Sequence, residues 1–128
     1  MATVELHIEN FEQTVLGNEI VVVDFWAPWC GPCRQFGPIY DAASEAHPAI
    51  VFGKVNTDDQ QALAQACEIR SIPTLMIFRD KILLFSQPGA LAAADLEGLL
   101  REVKGLDMEE VRRQLAEADA ETGDLDEE

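Results

Sequence analysis

The sequence predicts an α/β fold with the element order βαβαβαββα, and three observations predict it. At 128 residues, 48% of them hydrophobic, the chain is long enough for one buried core and too short to argue for two. Within EIVVVDFWA, Ile20–Val23 is a run of consecutive β-branched residues, the pattern of a central strand buried on both faces. Strand patterns on either side alternate with helical ones, which implies a parallel crossover.

The elements follow in order. VELHI (4–8) alternates as a short strand, and Asn10 stands where it would cap a helix with Phe11, Val15 and Leu16 on its apolar side. After the central strand, Pro32–His47 reads as a helix, with Phe36, Ile39, Tyr40 and Ala43 at helical spacing and Pro38 as a kink. AIVFGKVN is the next strand, and Asp58 or Asp59 opens a third helix, QQALAQAC. SIPTLMIFRD and KILLFSQ read as two strands joined by a tight turn. That turn, Arg79-Asp80-Lys81, lacks glycine, so a two-residue turn with positive φ would be strained and another turn type is expected. Residues 92–104 form a helix with Leu96, Leu99, Leu100 and Val103 on its apolar face, ended by Lys104 and a Gly105 C-cap.

Charge divides the chain. The net charge is −15, which disfavours nucleic acid and anionic membrane surfaces as partners because phosphates would be repelled. Residues 105–128 hold 10 of the 24 acidic residues and only 2 of the 9 basic ones. Residues 1–105 are therefore read as one domain and 106–128 as an acidic extension without a part in the chemistry. Within the extension, Asp107 as N-cap, Glu110, a Glu109–Arg113 pair and the stripe Met108, Val111, Leu115, Ala118 predict a helix over about 108–118. Residues 119–128 are acidic and poor in apolar groups, and disorder is expected there. Three cysteines are too few for a secreted disulfide scaffold, and MATVELHIENFEQ has neither a basic n-region nor an apolar h-region. The chain reads as cytoplasmic, with no membrane association.

The chemistry is concentrated in WAPWCGPCRQ (26–35). Cys30 and Cys33 fall at the end of the buried strand and in the opening turn of a helix, where residues three apart can bring their sulfurs to bonding distance. Cys30 lies nearest the helix N-terminus, where unpaired N–H groups and the dipole favour thiolate, so it is the candidate nucleophile. Cys33, one turn deeper, is the candidate resolving thiol. A structural zinc would need four ligands, and beyond the pair the chain offers only Cys67, His7 and His47. A purely structural disulfide is the other alternative, disfavoured by the expected reducing compartment. Asp24, inside the apolar run, should have its pKa raised by desolvation, which suits a proton acceptor. The competing reading is a carboxylate that anchors a backbone N–H or turns to solvent. Cys67 is read as a small buried hydrophobe, and His7 and His47 as surface residues.

The stretch VVVDFWAPWCGPCRQFGPIY resembles the active-site region of the thioredoxin family, and SIPTLMIF and PGA resemble its other two landmarks. Asp24, Pro38, Lys54, Pro73 and Gly89 fall in family order around WCGPC, and the likeness covers about residues 4–104. The resemblance implies a thioredoxin fold, a central mixed β-sheet flanked by four helices, to which the extension adds a short fifth. It implies a protein-disulfide reductase acting in cell redox homeostasis, with Asp24 taking the proton of Cys33 and Lys54 modulating that carboxylate. It implies a cis Pro73 that brings the Ile72 backbone beside the sulfurs. Trp29, Gly31, Pro32, Ile72, Pro73, Pro88, Gly89 and Ala90 would form an apolar docking surface for client proteins, and Trp26 would pack inside. The partners implied are disulfide-containing clients and an NADPH-dependent thioredoxin reductase. The chain has no Gly-rich dinucleotide fingerprint, so no cofactor of its own is expected, and a monomer is. Two further readings stay open: a scaffold subunit without redox turnover, and a disulfide oxidase or isomerase.

Overall fold

The computed structural model describes the backbone of residues 2–126 and the side chains of residues 2–119. Its elements are β1 (Thr3–Glu5), α1 (Phe11–Gly17), β2 (Ile20–Trp26), α2 (Gly31–Ala46), β3 (Val51–Asn56), α3 (Gln61–Ala66), β4 (Thr74–Arg79), β5 (Ile82–Pro88), α4 (Ala93–Gly105) and α5 (Met108–Asp126). The strands form one mixed sheet in the order β1-β3-β2-β4-β5, with β2 parallel to β3 and antiparallel to β4. The expected α/β order is present, and the β-branched run is the middle strand.

Alternation along β2 builds two cores. Val21, Val23 and Phe25 join Leu6, Val15, Val55, Leu63 and Met76 beneath α1 and α3. Ile20 and Val22 face the other way, onto Phe36, Tyr40, Phe52, Leu75, Leu96 and Leu100 beneath α2 and α4. By the two-residue period of a strand, Asp24 and Trp26 continue this second face. The Tyr40 hydroxyl donates to the carbonyls of Gly53 (2.7 Å) and Val22 (3.0 Å), pinning α2 to the β2–β3 ladder. A Cβ at Gly53 would come within 2.3 Å of the buried Leu6 Cδ1, so Leu6 could stay where it is only opposite glycine. α2 continues through Pro38 without a break.

Several local expectations give way to tertiary structure. β1 spans three residues rather than five, because only Leu6 of that stretch is buried while Val4 and Ile8 are exposed. Asn10 precedes α1, but its side chain accepts from the His7 amide and donates to the Glu5 carbonyl, closing the preceding turn instead of capping the helix. Leu16 is exposed, so α1 buries mainly Val15 and part of Phe11. α3 starts after Gln60, not at Asp58 or Asp59.

The β4–β5 turn is the clearest correction. Asp80 and Lys81 both have positive φ, 53° and 72°, despite the absence of glycine. Pairing of Arg79 with Ile82 leaves only two loop residues, and the right-handed strand twist then demands positive φ at both. Asp80 is held there by donating its amide to the Glu19 carbonyl (2.8 Å) and by the Arg112 guanidinium.

The end of α4 differs as well. Gly105 is its last helical residue rather than a left-handed cap; the Arg79 guanidinium instead donates to the carbonyls of Val103 (2.7 Å), Lys104 (3.1 Å) and Leu106 (3.1 Å). Asp107 does cap α5, accepting from the amides of Glu109 and Glu110. α5 runs on to Asp126, past residue 118, because the Ala, Glu and Asp residues that look like a disordered tail are compatible with helix, Ala and Glu strongly so. The remainder of the expected disordered stretch, 127–128, lies outside the described residues. Arg113 pairs with Glu110 and Glu117 rather than Glu109, and of the expected stripe only Met108 is buried, with Val111 half-buried. His47 is not a surface residue: its ring stacks on Phe52, its Nε2 lies 2.7 Å from Glu97, and Lys104 Nζ donates to its Nδ1 (2.9 Å).

Candidate functional site

The site lies where β2 hands over to α2. Ala27, fully buried, accepts from the Cys30 amide (3.2 Å), which turns the chain so that Cys30 becomes the N-cap of α2. The Cys30 Sγ accepts from the Cys33 amide at 3.2 Å, the place a serine or aspartate side chain takes at an ordinary helix start. Cys30 and Cys33 are joined as a disulfide, with Cα atoms 5.2 Å apart. Both residues are only 5% exposed, so burial does not distinguish them. Location does. Cys30 lines an open cleft of about 520 Å³, and Cys33 does not.

The cleft also contains Trp29, Gly31, Pro32 and Ile72, as the sequence indicates, together with Thr57, Ala64, Ile69, Arg70 and Ser71. The Ile72–Pro73 peptide is cis, and the Ile72 carbonyl oxygen stands 3.8 Å from Cys30 Sγ. Pro73 itself is buried behind this edge, and its carbonyl accepts from Gly89 (2.8 Å). Gly89 has φ +106°, a conformation open to glycine, and it holds exposed Pro88 and Ala90 beside the proline loop. Pro88, Gly89 and Ala90 do not line the cleft that contains Trp29.

Trp29 is 66% exposed, and its indole N–H donates to both oxygens of Asp58 at 3.1 Å. The sequence marks Asp58 only as a possible helix start, and marks neither Thr57 nor Arg70. A signal existed for the first two: β3 runs parallel to β2, so the loop after β3 opens at the same end of the sheet as the cysteine loop.

Asp24 lies beneath on the α2 face and is 1% exposed. Its pKa is pushed up to about 7, first by burial and further by Asp41, while the charge of Lys54 pulls it back down. Its Oδ1 is buried with no hydrogen-bond partner among the described residues, so it neither turns to solvent nor anchors a backbone N–H through that atom. Lys54 stands beside Asp24 in the β2–β3 register, yet its ammonium sits 4.7 Å above the Trp26 ring. Trp26 is partly buried against Ala27 and the two cysteines, rather than wholly interior. Cys67 is a free, half-buried thiol packed on the α1–α3 core, and burial raises its pKa. Among the described residues no three His, Cys, Asp or Glu side chains are grouped to hold a metal ion. No helix among them is long and apolar enough to cross a membrane.

A disulfide at the N-terminus of a helix, on the wall of an open cleft and above a buried carboxylate, fits a thiol-disulfide oxidoreductase. A family model described as Thioredoxin matches residues 2–102. The chain is 57% identical to a putative thioredoxin 2 of Streptomyces coelicolor over 122 residues, covering 95% of this chain and 91% of that one. It is 46% identical to a thioredoxin of Porphyra purpurea over 95 residues, covering 73% and 89%. Among solved structures, it is similar to Plasmodium falciparum thioredoxin, with a TM-score of 0.71, 29% identity and coverage of 77% and 96%. An oxidised mitochondrial thioredoxin 3 of Saccharomyces cerevisiae gives 0.72, 29%, 78% and 94%. The chain belongs to the thioredoxin family.

Proposed function

We propose that this chain is a general protein-disulfide reductase of the cytoplasm, acting as a monomer through residues 1–105. The observation that carries the reading is the Cys33 amide donating to Cys30 Sγ at the start of α2, on the wall of an open cleft. An amide and a helix dipole aimed at sulfur stabilise thiolate over thiol. In the reduced protein, Cys30 thiolate attacks one sulfur of a client disulfide; the client's other sulfur leaves as thiolate and a mixed disulfide forms. Asp24 takes the proton of Cys33, whose thiolate attacks Cys30 Sγ and expels the second client sulfur. The client gains two electrons, and the Cys30–Cys33 disulfide holds the oxidised state.

Trp29, Gly31, Pro32 and Ile72 supply a mostly apolar wall, and the Ile72 backbone offers an edge along which an extended client segment can pair. Exposed Gly89 and Ala90 extend this surface on the far side of the proline loop, while buried Pro73 sets the edge that Ile72 presents. Recharging requires a reductant, and family membership supports an NADPH-dependent thioredoxin reductase as its source. The family match ends at residue 102, which supports reading 106–128 as an appendage.

The test is a trap. Cys33→Ser, reduced and mixed with disulfide-bearing proteins, should accumulate mixed disulfides through Cys30 that dithiothreitol releases. Accumulation in Cys30→Ser and not in Cys33→Ser would reverse the roles, and accumulation in neither would remove the reading.

A further inference from the structure

Asp24 and Lys54 are neighbours in a parallel ladder, on the same face of the sheet, and Asp24 is buried. An ion pair is the expected outcome for such a couple, because a buried charge is stabilised most by an opposite charge in contact. None forms: among the described residues Lys54 makes neither a salt bridge nor a hydrogen bond to Asp24, and Asp24 Oδ1 is left unpartnered. The ammonium lies instead over the Trp26 ring, whose face attracts a cation electrostatically. Trp26 is two residues beyond Asp24 on β2 and therefore shares its face.

We propose that Trp26 is a positioning residue: its indole face holds the Lys54 ammonium close to Asp24 while keeping it from pairing with the carboxylate. This rests on the reductase reading for its consequence. A proton acceptor for Cys33 must keep its affinity for a proton near the working pH, and a contact ion pair would abolish that affinity. With Lys54 held on the indole, the cation tempers the cost of ionising Asp24 without fixing it as a permanent anion. Other charged and titratable groups face the same place. Tyr40 and Asp41 lie on α2 and both act electrostatically with Asp24, and Cys33 opens that helix. Glu5 at the end of β1, His7 just after it and Asp59 before α3 line the same small pocket as Lys54 and Trp26. None of these is changed in the test, so their contributions cancel between variants.

The experiment follows the Asp24 carboxyl carbon by NMR through a pH titration of the oxidised protein, which reads the carboxylate without any turnover. Lys54→Met should raise the Asp24 midpoint, since the nearby cation is gone. Trp26→Leu should lower it by about half a unit or more, since the freed ammonium can reach the carboxylate. The double variant should match Lys54→Met alone. That arm separates the proposal from simple wetting of Asp24 by loss of the indole, which would lower the midpoint with or without Lys54. Trp26→Phe retains an aromatic face and should fall between the native protein and Trp26→Leu. If Trp26→Leu does not fold, Trp26→Phe and the Lys54 side-chain proton shifts decide: ring-current shifts in the native protein, reduced in Trp26→Phe, support the proposal. A midpoint unchanged or raised in the Trp26 variants, or Lys54 protons without a ring-current shift, overturns it. Failure of the client-trapping experiment would leave this titration standing and remove only its link to catalysis.

Discussion

The Sγ of Cys30 accepts a hydrogen bond from the amide of Cys33 at 3.2 Å, so a free N–H of the first turn of α2 points at a sulfur atom rather than at a capping oxygen. In the reduced protein that sulfur is the one favoured as thiolate. Iodoacetamide at neutral pH should therefore modify Cys30 well before Cys33, and the pH midpoint of the reaction should lie below the value of about 8.5 for a free thiol. Peptide mapping after brief labelling reads it. Cys33 labelled first, or both at equal rates, contradicts the assignment.

Asp24 ties stability to pH with a definite sign. Its folded pKa of about 7 lies above its unfolded value of 3.8. The folded state therefore binds this proton more tightly, and the site's favourable contribution is complete below the unfolded pKa and is lost as pH rises from about 4 through about 7. Asp24→Asn removes the titration while keeping the shape. The variant should be more stable than the native chain at pH 7 and above, by on the order of 1 to 3 kcal/mol, with the advantage vanishing toward pH 4. Turnover should fall at the same time, because Cys33 loses its proton acceptor. Denaturant melts across pH 4 to 9 beside rate measurements check both halves, and an Asn variant that is less stable at pH 7 and equally fast would contradict them.

Arg79 holds the end of α4 by donating to the carbonyls of Val103, Lys104 and Leu106, the first of which also accepts a longer bond from the Leu106 amide (3.4 Å). Arg79→Met keeps the length of the stem and removes those donors. Unfolding free energy should drop by roughly 1 kcal/mol, the net worth of mostly exposed hydrogen bonds, while Cys30 alkylation stays unchanged. Urea denaturation followed by tryptophan fluorescence measures the first.

Removing residues 106–128 deletes the buried Met108 and the Asp80–Arg112 pair, and among the described residues it takes away nothing that lines the cleft. Disulfide reduction by the truncated chain should stay within a few-fold of the full chain, with a modest loss of stability from Met108. Activity lost from a chain that still melts cooperatively would mean that the extension meets the client or the reductase.

The framework was legible in the sequence because it depends on local patterns. Four β-branched residues in succession can only be satisfied by covering both faces, and the two cores on either side of β2 are that requirement met. Cys30 and Cys33 were legible because three-residue spacing at a helix start suffices to bring them together. Other features depend on partners far along the chain. The parallel β2–β3 order brings the loop of Asp58 near the cysteine loop, but residue patterns do not show that Asp58 anchors Trp29, that His47 is drawn between Glu97 and Lys104, or that Arg79 replaces a glycine cap. The positive φ at Asp80 and Lys81 was missed because the pairing of β4 with β5 outweighs the residues' own preference. Ile72 and Gly89 entered the site only through likeness to a family, since nothing in their own neighbourhoods points at a sulfur more than 40 residues away.

The most direct measurement of the central claim is NADPH consumption in a mixture of this chain, a thioredoxin reductase and a disulfide-bonded test protein. The account predicts that catalytic amounts of the native chain drive NADPH loss and thiol release from the test protein, and that Cys30→Ser stops both. No turnover with the native chain, or turnover that survives in the Cys30→Ser, Cys33→Ser double variant, would contradict it.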